Sequence, residues 1–398
     1  MLHQAPPVRH RRAGIVIAAL LVMALAACTQ TRIGGVGPPS AGVGPSASGE
    51  VIGSGSVRVA LLVPRSATGN AGISGQASRN AADLAMRDFP GAGIQLVVYD
   101  TGGTPAGALA AANAALAEGA EMILGPVFSS SVGAIAPAAR QAGVPVIAFT
   151  TDVSVAGRGV YLISFLLDAA IERGITYAAA NGHNSFAAIL PANPEGALVE
   201  ASFRQTVSRS GGRVVTIERY QLDQNDIRLK ATAIAEVASQ FDALLVPDAG
   251  DVAVIVADTL ASAGVSRQTA RLIGSGQWEG DSRISGNPNL AGAWYAAPSR
   301  QGFTAFAQRY RSAYNSEPPR NATIAYDATV LAAGLVRQFG ANRFSQAVLT
   351  NPNGFAGIDG VFRLLPDGGN DRRLAVYEVT GSGTTLADPA PRSFAGGT

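Results

Sequence analysis

Ile123-Leu124-Gly125-Pro126-Val127-Phe128-Ser129-Ser130-Ser131 joins a buried strand to a helix. Met122 to Leu124 is a short apolar run with the character of a strand, Gly125-Pro126 ends it, and the alanine-rich segment to Gln141 has the character of a helix. The three serines therefore sit where a strand's carboxyl end turns into a helix amino terminus. Backbone N–H groups there have no intrahelical partner and carry the positive end of the helix dipole. With the hydroxyls they suit a carboxylate or another anion. Helix capping by Ser129 is the other reading.

The same alternation runs outward from this junction. Upstream, Val57 to Val63 and Ile94 to Tyr99 read as strands, each followed by a helix, Gln76 to Phe89 and Thr104 to about Glu118. Downstream, Pro145 to Phe149 is a fourth strand ending in Thr150-Thr151-Asp152, and Tyr161 to Phe165 a fifth. The strands are continuously apolar, which predicts a parallel sheet covered on both faces. Ligands of such sheets bind outside the strand carboxyl ends. Ser129 and Ser130 stand at one such end, and Thr150, Thr151 and Asp152 at another, so two polar clusters mark one edge.

The pattern then restarts. Leu166 to Ala180 reads as a helix, and strands are expected at Phe186 to Leu190, Arg213 to Tyr220, Ala243 to Val246, Arg271 to Ile273 and Ala291 to Ala296, with helices between. The third and fourth of these end in Pro247-Asp248-Ala249-Gly250 and Gly274-Ser275-Gly276-Gln277-Trp278. Trp278, in a loop at a strand end, leans toward a cleft; for Trp294, inside a strand, core packing and a cleft wall stay open. Two helical stretches follow, Phe303 to Tyr314 and about Ile324 to Phe339. A hairpin-like segment pairs Gly360 to Leu364 with Leu374 to Val379 across Pro366-Asp367-Gly368-Gly369. The fold class is α/β, with two Rossmann-like lobes.

At 398 residues the chain has room for both lobes. The net charge of +2 is spread along the chain, and no basic block follows the first dozen residues, which removes a nucleic-acid partner. Residues 1–27 read as a lipoprotein signal peptide: Arg9, Arg11 and Arg12 precede the apolar Ala13 to Leu25, and Leu25-Ala26-Ala27-Cys28 looks like a bacterial lipobox with Cys28 lipidated. Cleavage there removes three arginines and no acid, taking the formal charge from +2 to −1. Cys28 is the only cysteine, so no disulfide is expected. Thr29, where Asp commonly retains a lipoprotein at the inner membrane, tilts the expectation toward the outer membrane. Residues 28–56, rich in Gly, Ser and Pro, read as a flexible tether, and residues 383–398 as a disordered tail.

Val57-Arg58-Val59-Ala60-Leu61-Leu62, Val98-Tyr99-Asp100, Gly125-Pro126 with Ser129-Ser130-Ser131, Gly143-Val144-Pro145-Val146-Ile147 and Tyr326-Asp327-Ala328, in this order, resemble the type I periplasmic binding proteins of the leucine/isoleucine/valine-binding kind. The resemblance covers residues 57 to about 380. It implies two lobes joined by three crossovers, near 166, 297 and 355. Lobe 1 would then hold residues 57–165 plus 298–354, and lobe 2 residues 166–297 plus 355–382. It also implies closure on a small ligand by hinge motion. The positions that hold a ligand carboxylate in those relatives fall on Ser129, Thr150 and Asp152. Asp152 stands where Thr is usual, and its charge repels a carboxylate. The second-lobe positions fall on Glu195, Ala249 and Gly276, so the aromatic walls and ammonium partner of the relatives are replaced; Glu195, Asp248 or Glu279 are the charges available instead.

A second resemblance lies in Gly274 to Trp278, Gly292 to Pro298 and Phe306 to Pro319. These look like the lipoproteins grouped as penicillin-binding protein activators, which share the fold and stimulate a peptidoglycan synthase by contact. No enzyme is expected. Of three histidines only His183 lies beyond the expected cleavage site, and no G-x-S-x-G elbow, P-loop or dinucleotide loop is present. No metal or cofactor is expected. The leading expectation is a lipid-anchored periplasmic protein that captures a small amino-acid-like or polar solute for an ABC permease. The alternative is a lipoprotein that activates a penicillin-binding protein.

Overall fold

The computed structural model describes residues 49–394. The expected signal peptide, Cys28, residues 28–48 of the expected tether and residues 395–398 lie outside the described residues.

The first lobe is built from β1 (Glu50–Ile52), β2 (Val57–Val63), α1 (Asn70–Asp88), β3 (Ile94–Asp100), α2 (Pro105–Ala117), β4 (Met122–Leu124), α3 (Ser129–Ala142), β5 (Val146–Ala148) and β6 (Val160–Leu162). Its strands lie in the order β1-β3-β2-β4-β5-β6. Only β1 runs antiparallel to its neighbour. Successive residues of β2 feed opposite faces: Val59, Leu61 and Val63 join one core, Ala60 and Leu62 the other. Both faces are covered, which is why the strand is apolar from Val59 to Val63.

The second lobe follows with α4 (Leu167–Ala180), β7 (Ser185–Pro191), α5 (Pro194–Arg209), β8 (Arg213–Tyr220), α6 (Gln224–Glu236), β9 (Ala243–Leu245), α7 (Asp251–Ser262), β10 (Arg271–Gly274), the one-turn α8 (Ser282–Ser285) and β11 (Trp294–Ala297). Then α9 (Arg300–Tyr314) and α10 (Ala322–Phe339) return to the first lobe, where Phe306, Tyr310 and Ala325 share a core with Leu61 and Leu124. After α11 (Gln346–Leu349), β12 (Phe355–Gly357), β13 (Gly360–Leu364) and β14 (Asn370–Arg372) form a three-stranded antiparallel sheet. β15 (Ala375–Val379) and β16 (Thr384–Asp388) complete a seven-stranded sheet ordered β16-β15-β11-β10-β9-β7-β8. Within the two sheets, β3-β2-β4-β5-β6 and β8-β7-β9-β10-β11 repeat one order.

Four expectations are corrected. The tether stops short of residue 56: β1 pairs with β3, and Glu50 ties it down through Arg65 (2.8 Å) and Arg79. The tail is not all disordered, because β16 pairs antiparallel with β15 and Asp388 meets Arg173. Gly360 to Leu364 pairs with Asn370–Arg372, not with 374–379, which instead runs antiparallel to β11. The third crossing therefore falls between β14 and β15 at Arg373, not near 355. Up to that point the chain packs on the first lobe, with Phe362 and Leu364 in its core.

Ser129 is not a cap. It is the first helical residue of α3; the cap position belongs to Phe128, and no side chain caps the helix. Gly125 just ahead has φ +86°, and a Cβ there would collide with the carbonyl oxygen of Leu62. Only glycine lets the chain turn so tightly out of β4.

Candidate functional site

The three crossings between lobes meet around one cavity of about 290 Å3. Phe165 and Leu166 come from the first crossing, Pro298 from the second, Arg372 and Leu374 from the third. Leu167, Ala169 and Ala170 of α4 and Ala296 of β11 extend an apolar wall. Polar groups enter from both lobes: Thr151 and Arg320 from the first, Glu195, Gln277 and Glu279 from the second.

The charged side chains of this cavity differ in how far they are already committed. Glu279 accepts from Tyr295 Oη at 3.0 Å and from Arg300 Nε at 2.5 Å, so its charge is spent. Glu195, in the first turn of α5, is exposed and makes no ion pair among the described residues. Arg320 donates from Nη2 to Asp359 Oδ1 at 2.6 Å, and Thr323 Oγ1 donates to the other Asp359 oxygen at 2.5 Å. Arg372 is 4 % exposed and donates from Nη2 to the Ile163 carbonyl at 3.0 Å, while its Nε and Nη1 have no hydrogen-bond partner. The Phe165 ring is near both guanidinium groups, 5.1 Å from that of Arg320 and 5.0 Å from that of Arg372. Burial pushes the neighbouring Asp327 carboxyl up to about 7, against the pull of Arg372. Among the described residues no group of three or more His, Cys, Asp or Glu is placed to hold a metal ion.

The family model described as periplasmic binding protein covers residues 56–384. The chain belongs to the periplasmic binding protein family. Its fold is the type I fold of that family. A Rhodospirillum rubrum protein assigned to a branched-chain amino acid ABC transporter shares 19 % identity with it over 83 % of this chain and 99 % of that one, at a TM-score of 0.73. A leucine-binding protein of Thermotoga maritima shares 19 % over 84 % and 98 %, at 0.58. An ABC transporter solute-binding protein of R. palustris, solved with benzoate, shares 21 % over 85 % and 98 %, at 0.55. No curated protein matches the sequence significantly.

In this binding protein the residues expected from sequence separate into three groups. Thr151, Glu195 and Gly276 line the cavity. Ser129, Ser130, Thr150 and Asp152 lie outside that lining, the two serines in the first turn of α3. Thr150 is 7 % exposed and its Oγ1 accepts from the Asp152 N–H at 3.2 Å. Asp152 accepts from the Ser154 hydroxyl at 2.6 Å and backbone at 3.0 Å. These bonds, with the Ser129 hydroxyl nearby, hold its carboxyl below the usual range. The amino terminus of α3 therefore faces a carboxylate of the chain's own.

Asp248 and Trp278 form the third group. Asp248 receives the Tyr220 hydroxyl, and burial pushes its carboxyl up. Trp278 does not open onto the cleft: it is 1 % exposed, packs in the second-lobe core and donates from Nε1 to the Asp248 carbonyl at 3.0 Å. The short turn Gly276–Trp278 folds its ring back over Gly274, where any Cβ would collide with it. Trp294 is 6 % exposed, with the Arg271 guanidinium 4.3 Å from its ring and Tyr177 edge-on at 4.9 Å. Sequence reading missed Arg320, Arg372 and Phe165. Their only signal was position, each lying within a few residues of a lobe crossing or of the paired prolines Pro318-Pro319.

Proposed function

We propose that the chain is a periplasmic solute-binding protein that holds a small polar or amino-acid-like solute between its lobes and delivers it to an ABC permease. The observation that carries this reading is the cavity, walled by both lobes and by all three crossings. A solute held there touches both lobes and every connection between them, so its contacts span the parts that a hinge motion would rearrange. The branched-chain amino acid, leucine and benzoate relatives support the same role. The proposal includes lipidation at Cys28 and anchoring at the periplasmic face of a membrane, with Thr29 favouring the outer one.

Activation of a penicillin-binding protein is the second reading. It draws support from the second lobe, where Trp278 and Asp248 are committed to internal packing and bonding and leave a ligand Glu195, Gln277 and Gly276 as polar second-lobe contacts, with Glu279 already paired. A thermal-shift panel of amino acids and small organic acids separates the two. A solute at one hundred times its Kd adds about 2.7 kcal/mol to stability. A flat response across the panel, with a penicillin-binding protein recovered in a membrane pull-down, replaces the first reading by the second.

A further inference from the structure

We infer that residues 389–394 act as a strap that returns from the second lobe to the first across the hinge, with the Phe394 ring as its latch, and that this latch restrains the swing of the lobes. The inference concerns lobe motion and stands whether or not the cavity binds a solute.

The strap starts on the second lobe. β16 ends at Asp388, which meets Arg173 of α4, and Ala390 packs against the second-lobe core. Four residues further on, Phe394 is on the first lobe. Its ring lies so close to Gly354 that a Cβ there would collide with it, and the Arg363 guanidinium is 4.4 Å from its centroid. Arg363 belongs to β13, whose Phe362 and Leu364 sit in the first-lobe core, and its Nη2 donates to Asp371 of β14 at 2.9 Å. Ala390 and Phe394 are half-buried, while residues 391–393 are exposed. The segment is thus held at its two ends and bare between them.

Arg373 ties the latch to the hinge. It is the residue at which the third crossing leaves β14 for β15, and its guanidinium is 4.5 Å from the centroid of the same ring. A turn of the chain at Arg373 therefore drags this guanidinium past a ring seated on Gly354 and Arg363. Pro389 and Pro391 stiffen the span, since each fixes its φ at about −65° and favours extended chain. Four residues reach at most about 14 Å. The ring keeps its seat only while Ala390 stays within that radius, and a wider swing must unseat it. One half-buried ring over two guanidinium groups comes away far more easily than a core element, which suits a reversible latch.

Inter-lobe distances measured by spin labelling test the inference. Cys28 is the only cysteine, so the full chain carrying Cys28→Ser, with Ala110→Cys on α2 and Gln205→Cys on α5, both exposed, takes one label on each lobe. Pulsed electron–electron double resonance then reads the distribution of distances between the lobes. Phe394→Ala should widen that distribution at least twofold, while Phe394→Tyr, which keeps the ring, leaves it unchanged. Both variants should melt within a few degrees of the parent. An unchanged distribution in Phe394→Ala, or an equal widening in Phe394→Tyr, overturns the latch. A large fall in Tm for Phe394→Ala makes the ring part of the core and overturns it as well.

Discussion

Asp327 and Arg372 face one another across 3.9 Å at 3 % and 4 % exposure, and no hydrogen bond joins them. Burial drives both toward their neutral forms, the acid up and the guanidinium down. Asp359 nearby raises Asp327 further, while Arg372, Arg320 and the Ile358 N–H pull it down.

A pH dependence follows from that pair. With its folded pKa raised to about 7, Asp327 binds a proton in the folded chain that the unfolded chain has already released. Its favourable contribution is full below about pH 4 and is lost as pH rises through about 7, up to about 4 kcal/mol. Asp327→Asn keeps the acceptor for Ile358 N–H and removes the titration. Urea denaturation at pH 4.5 and 7.5 should show the wild type losing more stability than the variant over that interval. Parallel changes in the two proteins rule out Asp327 as the titrating group.

Filling the cavity should abolish binding and leave the fold intact. Ala169 is half-buried on the cavity wall, so Ala169→Trp places a ring in the space a solute needs. Any ligand-induced rise in Tm seen for the wild type should vanish, with the ligand-free Tm within a few degrees. A preserved rise means the solute sits elsewhere.

Trp278 should behave as a core residue. Trp278→Ala removes a fully buried ring and is expected to cost about 3–5 kcal/mol. Trp278→Phe keeps most of the packing but loses the bond to the Asp248 carbonyl, a loss of about 1 kcal/mol. Chemical denaturation measures both. A stable Trp278→Ala protein that has lost only its ligand returns this residue to the cleft.

The amino-terminal edge strand should also contribute. Removing residues through Ile52 deletes the pairing with β3 and both ion pairs of Glu50. Compared with removal through residue 48, that should cost about 1–2 kcal/mol, given the small worth of half-exposed ion pairs. Equal denaturation midpoints for the two truncated chains show that β1 adds nothing.

The α/β order was legible because its central strands are apolar or nearly so and punctuated by glycine, as at Leu124-Gly125. The third crossing was not. Asn370-Asp371-Arg372 is a strand without one apolar residue, invisible to a hydrophobic pattern, and Pro366-Asp367-Gly368 beside it reads as the turn of a longer hairpin. The burial of Arg372 depends on Phe165, Phe362 and Asp327, which are remote in sequence. Ser129 and Asp152 were both found, but that one answers the other is a relation in space, and no spacing along the chain encodes it. Trp278 misled because a one-turn helix after a strand looks like an open loop until the ring is seen lying on Gly274.

The cavity lies beside all three connections between the lobes, so its occupant sits at a fulcrum and not between the tips of the jaws. A given swing moves the tips far and the fulcrum little. The bound molecule therefore exchanges few contacts between wide and narrow settings, and it biases the swing only by the small difference that remains. On the solute-binding proposal, recognition and shape change are geared relative to one another: a small shift at the axle would answer to a large one at the rim.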